Sequence, residues 1–331
     1  MSFPARSGGA AVCGAVAILR PRVSASLWYS LPMARRRWPI VGALALALVA
    51  LVQPVSRAAT PSGGVIVFSA YPNGAGVPQL FHVQADGQGL AQLTMGRRAA
   101  TSPDFSPDGK RIAFVRLGSG IYSIAQDGTG TGRLTSGRRD SYPVWSPDGK
   151  RIAFLRPYRA EWRVYVMSST GEGERRLPQA PAAGRPSWAP NGKAILIPSA
   201  GDIVRIDARS GKVLKYYGLR LDLLSSHAAT VSPGGQMVSY VGPRNPTGPE
   251  DCGEGPCPQF GLYLARLPKP HRARRIANDT GPAGWSRDGR SLVYVARGAL
   301  TLRTVAATGT TSVATGPHVA TGDAPPAWQP G

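Results

Sequence analysis

The sequence predicts an all-β protein, a six-bladed β-propeller built of four-stranded antiparallel blades. Three observations lead to this prediction. Gly (41) and Pro (31) are abundant among the 331 residues, a turn-and-strand pattern recurs along the chain, and its two ends supply complementary parts of one blade. Gly and Pro weaken helix interiors, which excludes a long helical bundle. A hydrophobic share of 42% and seven Trp exclude low-complexity disorder.

The recurring unit begins with an aromatic residue or Val and continues into a tight turn, as in FSPDGKRIAFVR (105–116) and WSPDGKRIAFLR (145–156). Pro and Gly suit such a turn, and the apolar run after it suits a strand buried on both faces. A third strand, a second turn and an outer strand follow, which together make one propeller blade. The unit recurs at six anchor positions: Phe105, Trp145, Trp188, Val231, Trp285 and Trp328.

The outer strands are predicted at Leu90–Thr94 and Gly132–Thr135. The segment Val65–Phe68 matches the second strand of a blade that lacks a first, and Trp328–Gly331 supplies only a first strand. We therefore expect the C-terminal strand to join the N-terminal blade and close the ring, which removes exposed sheet edges. Two stacked sandwich domains are the alternative, and the even spacing argues against them.

Residues 33–58 (MARRRWPIVGALALALVALVQPVSRA) have the layout of a secretory signal peptide, with an Arg cluster, an apolar run and small residues before Ala58. An uncleaved anchor is the alternative. Met33 is a plausible start, so we interpret 1–32 as a misassigned or disordered extension and 59–331 as the propeller. We expect an exported protein that is periplasmic, cell-wall associated or secreted, with no stable membrane span after cleavage.

Two cysteines follow the leader, Cys252 and Cys257, in a loop rich in Pro and Gly. In an exported protein the first expectation for such a pair is a local disulfide. A metal site is the alternative, and it would need two further soft ligands nearby.

The pattern WSPDGKxIAF with a downstream DGxxxxLT resembles the WD-like propeller repeats of the TolB family. The units at 105–116 and 145–156 match closely, and the units at Trp188, Val231 and Trp285 match less fully. The resemblance covers about 65–331 and implies a six-bladed propeller. In TolB an α/β domain precedes the propeller, which binds a peptidoglycan-associated lipoprotein. We expect the propeller domain alone here. The same repeats occur in exported peptidases.

No enzyme motif of the kinds GxSxG, HExxH or GxGxxG between strand and helix occurs, so we expect a non-enzymatic protein. Asp108, Asp148 and Asp288 recur in the turns, where Asp commonly bonds backbone N–H groups. No cofactor is expected, although calcium or another axial metal stays open. The alternative function is a propeller hydrolase or dehydrogenase with an axial metal or quinone.

The formal net charge is +21, and arginines concentrate in the crossovers between blades and in the loops between second and third strands. We therefore predict a basic face that binds a protein or an anionic envelope polymer; purely solvated arginines are the alternative. Export argues against nucleic acid as the partner, and we expect a monomer. The candidate binding residues are Arg97, Arg98, Arg138, Arg139, Arg159 and Arg185, with Arg116, Arg156 and Arg244 beside them.

Overall fold

A computed structural model describes residues 64–72, 76–199, 202–218, 229–243, 260–267, 273–278, 280–296, 299–304, 311–313, 318–319 and 325–330. The predicted leader, the segment 1–32, the pair Cys252 and Cys257, and Arg244 lie outside these residues. Within the described ranges, no helix is both long and apolar enough to cross a bilayer.

The described chain is built of β-strands. The first twelve are β1 (Gly64–Tyr71), β2 (Gln79–Gln84), β3 (Ala91–Gln92), β4 (Ala100–Phe105), β5 (Arg111–Arg116), β6 (Gly120–Ala125), β7 (Gly132–Arg133), β8 (Ser141–Trp145), β9 (Arg151–Tyr158), β10 (Glu161–Ser168), β11 (Arg175–Pro181) and β12 (Ser187–Trp188). The others are β13 (Ala194–Ser199), β14 (Asp202–Asp207), β15 (Val213–Tyr216), β16 (Thr230–Val231), β17 (Met237–Pro243), β18 (Phe260–Arg266), β19 (Arg274–Asn278), β20 (Gly284–Trp285), β21 (Ser291–Ala296), β22 (Ala299–Thr304), β23 (Thr311–Val313), β24 (His318–Val319) and β25 (Ala327–Pro330).

The strands form six antiparallel sheets, which are the predicted blades. Blades 2 to 6 each take four consecutive strands, from β4–β7 to β20–β23. Blade 1 combines β1–β3 with β24 and β25, which both pair with β1. Ile66 pairs with Trp328 and Val67 pairs with Ala327. The expected closure of the ring by the C-terminal strand is therefore confirmed.

The turn after each inner strand has the local structure that its sequence favours. In blade 2 the Ser106 hydroxyl donates to Asp108 Oδ1 at 2.6 Å, and the Lys110 N–H donates to the same oxygen at 3.1 Å. Gly109 has a φ of 72°, in the left-handed region that favours glycine. Asp148 and Asp288 bond their turns in the same way. These acids are turn-capping residues, as the sequence predicted.

The outer strands of blades 1 and 2 contain only two residues each, shorter than the predicted Leu90–Thr94 and Gly132–Thr135. The cause is the threonine that ends each predicted segment. The Leu80 N–H donates to Thr94 Oγ1 at 2.9 Å, and the Ile121 N–H donates to Thr135 Oγ1 at 3.0 Å. A side-chain hydroxyl thus replaces a backbone acceptor of the ladder, and regular pairing stops there.

The core lies between neighbouring blades, where the anchor residues pack. Trp328 joins a cluster with side chains of blades 1 and 6, and Trp188 joins one with side chains of blades 3 and 4. The Trp188 indole N–H donates to Val144 O at 3.0 Å, and that of Trp285 donates to Thr230 O at 3.2 Å. Both bonds cross to the preceding blade, so these anchors hold adjacent blades together.

Candidate functional site

The propeller has two faces, which differ in the loops that they carry. The turns that follow the inner strands lie on one of them, which we call the turn face. The crossovers between blades and the loops between second and third strands lie on the opposite face. We call the second face the arginine rim and define it by the residues Arg97, Arg98, Arg138, Arg139 and Arg159, all of which are exposed.

The second arginine of each TxGRR crossover packs against the hairpin of the blade that it enters. Arg98 donates to Gly118 O at 3.1 Å, in the hairpin of blade 2. Arg139 lies over the Trp162 ring, with 5.7 Å from its guanidinium carbon to the ring centroid, in the hairpin of blade 3. Both arginines therefore contact the hairpin of the blade that follows, Arg98 through a backbone carbonyl and Arg139 through an aromatic ring.

Two further arginines, Arg159 of the rim and Arg176 of β11, contact Tyr158 beside the hairpin between β9 and β10. The guanidinium carbon of Arg176 lies 3.7 Å from the Tyr158 ring centroid, and that of Arg159 lies 5.5 Å from it. Both cations lower the pKa of the Tyr158 hydroxyl, with Arg176 the larger cause. Arg159 has a φ of 56°, at a turn position that more often holds glycine.

The rim arginines carry charge that no described acid neutralises. The ion pairs of the described chain are Arg151–Asp148, Arg156–Asp140, Arg156–Glu174, Arg163–Glu161 and Arg185–Asp104. None of them includes a residue of the arginine rim. Arg116 also lies near this face and donates to Met95 O at 3.2 Å rather than to an acid.

Arg185 was grouped by sequence with the rim arginines, but its side chain lies in the centre of the ring. It lines a central cavity of about 420 Å³ and forms an ion pair with Asp104. The reason is its register: Arg185 comes three residues before the anchor Trp188, just ahead of the inner strand β12.

The central cavity is surrounded by the inner strands of all six blades. Its lining includes the residue before each anchor: Asp104, Val144, Ser187, Thr230, Gly284 and Ala327. The Trp145 N–H donates to Asp104 Oδ2 at 2.8 Å. Burial raises the pKa of Asp104 to about 6, although Arg185 and the Trp145 N–H both favour the charged carboxylate.

Metal ligands do not converge in the part of the chain that the structure describes, where no group of three His, Cys, Asp or Glu side chains could hold an ion. The cavity lining contains two acids, Asp104 and Asp288. Asp104 pairs with Arg185, and Asp288 bonds its own turn.

Sequence reasoning missed the buried ion pair between Asp140 and Arg156. Arg156 Nε lies 2.6 Å from Asp140 Oδ1, and the Thr135 hydroxyl donates to the other oxygen of Asp140. Asp104 was also missed, although a signal was present. It is the only charged residue among the six that directly precede the anchors.

Comparison with known proteins agrees with this architecture. Residues 53–208 match the family model of the TolB β-propeller domain. The structure superposes on TolB from Acinetobacter baumannii with a TM-score of 0.63 and 20% identity, covering 80% of this chain and 66% of that one. The chain is a TolB-like six-bladed β-propeller.

Two further relatives are similar to this TolB-like propeller. A putative TolB from Agrobacterium tumefaciens superposes with a TM-score of 0.54 and 15% identity, covering 80% of this chain and 93% of that one. Dipeptidyl-peptidase 5 from Porphyromonas endodontalis is 37% identical over 83 residues, which are 23% of this chain and 12% of the peptidase. The matched segment thus spans only 12% of that enzyme's length.

Proposed function

We propose that the chain is an exported, non-enzymatic scaffold whose arginine rim binds a protein or an acidic polymer of the cell envelope. The observation that carries this proposal is the set of exposed rim arginines without an acidic partner in the described chain. A guanidinium can bind a carboxylate or phosphate through two parallel hydrogen bonds. The TolB-like fold supports a scaffold or binding role.

Export, to the periplasm, the cell wall or the medium, is part of the proposal and depends on the leader at 33–58. The corresponding mature domain is 59–331, and we propose that Cys252 and Cys257 form a disulfide within it.

Arg185 is proposed to act from the central cavity rather than from the rim. Its partner Asp104 already satisfies part of its hydrogen-bonding capacity.

The test is binding of poly-glutamate to the purified mature domain at low and high salt. Replacing Arg97, Arg98, Arg138 and Arg139 with Ser should weaken binding by about tenfold or more, because it removes four exposed positive charges from one face of the propeller. The melting temperature should change little, since all four side chains are exposed.

The matched control removes the same charge from the turn face, by replacing Lys110, Lys150, Lys193 and Lys212 with Ser. All four lysines are exposed and outside the described ion pairs. If both quadruple variants lose affinity equally, net charge alone explains binding and the rim is not a site. Metal analysis of the purified protein tests the enzymatic alternative, which predicts bound metal or quinone.

A further inference from the structure

We infer that the arginine rim of blades 1 to 3 is a docking surface for an acidic protein that also presents apolar side chains. The inference rests on the proposed function and specifies its partner class. It starts from Met95 and Leu117, whose relative exposures are 78% and 63%. Long apolar side chains this exposed are a feature of interaction sites when they cluster.

Met95 and Leu117 belong to two loops that hydrogen bonds hold together. The Leu117 N–H donates to Ala99 O at 2.9 Å, and Arg116 Nη1 donates to Met95 O at 3.2 Å. Arg98 donates to the carbonyl of Gly118, next to Leu117. Two cations therefore frame two exposed apolar side chains on blade 2.

Exposed apolar side chains also lie on this face in both neighbouring blades. Of the eight exposed large hydrophobic side chains among the described residues, five lie on this face: Tyr71, Val77, Met95, Leu117 and Tyr158. Blade 1 is joined to the crossover of blade 2 by Gln79, whose Nε2 donates to Gly96 O and to Arg98 O, both at 3.1 Å. The buried Gln79 thus holds the crossover of Met95 and Arg98 against blade 1.

The composition of the rim favours a protein partner over a polymer or a lipid surface. Protein interfaces are enriched in Tyr, Trp, Met and Arg and depleted in Lys and Glu. None of the described lysines lies on the rim; four are in the turn-face loops and Lys215 is in the outer strand β15. In blades 1 to 3 the rim acids Asp140 and Glu161 are ion-paired with Arg156 and Arg163.

Several arginines of the rim or beside it are also held in fixed positions, which favours specific recognition. Arg98 and Arg116 bond backbone carbonyls, and Arg139 and Arg176 lie over aromatic rings. Side chains that are ordered before binding lose less conformational entropy when a partner arrives. Attraction to an anionic polymer or bilayer needs only charge. The partner should therefore place carboxylates over the arginines and apolar side chains over Met95 and Leu117.

The test compares two short synthetic peptides with the same number of Asp, one with leucines between them and the other with serines in their place. The leucine peptide should bind the mature domain about tenfold more tightly, because it buries apolar surface. The double variant Met95→Ser/Leu117→Ser should abolish this difference. The control Leu214→Ser/Tyr216→Ser removes exposed apolar side chains from β15 and should preserve it.

The outcomes separate this inference from the proposed function. If wild type binds both peptides equally and the rim quadruple variant weakens both, the protein partner is wrong and the anionic site stands. If the quadruple variant binds both peptides as wild type does, both proposals fail. If Met95→Ser/Leu117→Ser instead reduces binding only to phosphatidylglycerol vesicles, the surface faces lipid and the inference is overturned.

Discussion

Asp104 of blade 2 and Arg185, which precedes the inner strand of blade 4, form an ion pair across the central cavity. Blade 3 separates them around the ring, yet it contributes as well, since the Trp145 N–H donates to the Asp104 carboxylate. The pair therefore links three consecutive blades at the axis. Side-chain exposures of 17% for Asp104 and 12% for Arg185 place it in a poorly solvated environment.

The raised pKa of Asp104 predicts a specific pH dependence. Its pKa is about 6 in the folded protein against an ordinary 3.8, so the folded state binds this proton more tightly than the unfolded chain. The contribution of Asp104 to the free energy of unfolding should then fall as pH rises from about 4 to about 6 and level off above that range. Asp104→Asn should not show this change.

Thermal melts of wild type and Asp104→Asn between pH 4 and 8 measure the effect. The melting temperature of the variant relative to wild type should rise through that window. Asp108→Asn is the control, because hydrogen bonds from Ser106 and Lys110 lower the pKa of Asp108. Asp108 therefore titrates below this pH window, and the difference in melting temperature between Asp108→Asn and wild type should stay constant across it. If the difference in melting temperature between Asp104→Asn and wild type does not change with pH, the prediction for Asp104 is wrong.

Closure of the ring predicts that residues 324–331 stabilise the whole domain. Their removal deletes β25 and the buried Trp328, and loss of a large buried aromatic alone costs roughly 3–5 kcal/mol. The truncated protein should melt far earlier or aggregate, measured by calorimetry and light scattering.

A rearranged chain provides the control for closure. Placing 325–331 before residue 64, through a turn copied from 106–110, keeps the register of β25 with β1 and should restore stability. An unchanged melting curve after simple truncation would mean that blade 1 does not need this strand.

The buried Asp140 should contribute more to stability than Glu174, the other acid that pairs with Arg156. Asp140→Ala leaves Arg156 with Glu174 and removes the acceptor of the Thr135 hydroxyl, so it should lower the free energy of unfolding by roughly 3 kcal/mol. Glu174→Gln breaks the more exposed pair and should cost at most about 1 kcal/mol. Urea unfolding measures both, and equal losses would refute this ranking.

The cysteine pair predicts a disulfide in exported protein. Intact mass and peptide mapping under non-reducing conditions should show Cys252 linked to Cys257. Because the closed loop is short, the double variant Cys252→Ser/Cys257→Ser should lose little stability. Free thiols at both positions, or one zinc per chain, would favour the other interpretations.

The sequence predicted the ring because the features that define it are local and repeated. A turn such as 106–110 encodes its own geometry, and the six anchors recur where wedges between blades are needed. To predict that the ends around Val65 and Trp328 complete one blade, it was enough to count the strands that each end supplies. Each of these features is recognised from residues that are close in sequence.

The buried polar contacts were not predictable in this way, because equivalent positions of the repeats bond to different partner residues. Thr94 and Thr135 occupy equivalent positions, yet the Thr94 hydroxyl donates to Gln79 and the Thr135 hydroxyl donates to Asp140. Gly120 stands where blade 1 has Gln79, and a Cβ there would lie 2.5 Å from Thr135 O. The repeats therefore give the equivalent threonine hydroxyl an acceptor from different positions. An alignment of the repeats does not show which residue will be that acceptor.

The pairing of β1 with β25 also constrains how the protein is made. Blade 1 begins with the first described strand, but its inner strand is synthesised only after five other blades. During synthesis β1 has an unpaired edge, which is a state prone to aggregation. Until Ala327–Pro330 emerges, a nascent chain of this kind depends on prompt completion of synthesis or on a chaperone. A ribosome that stalls near the end of the message would therefore release an open ring.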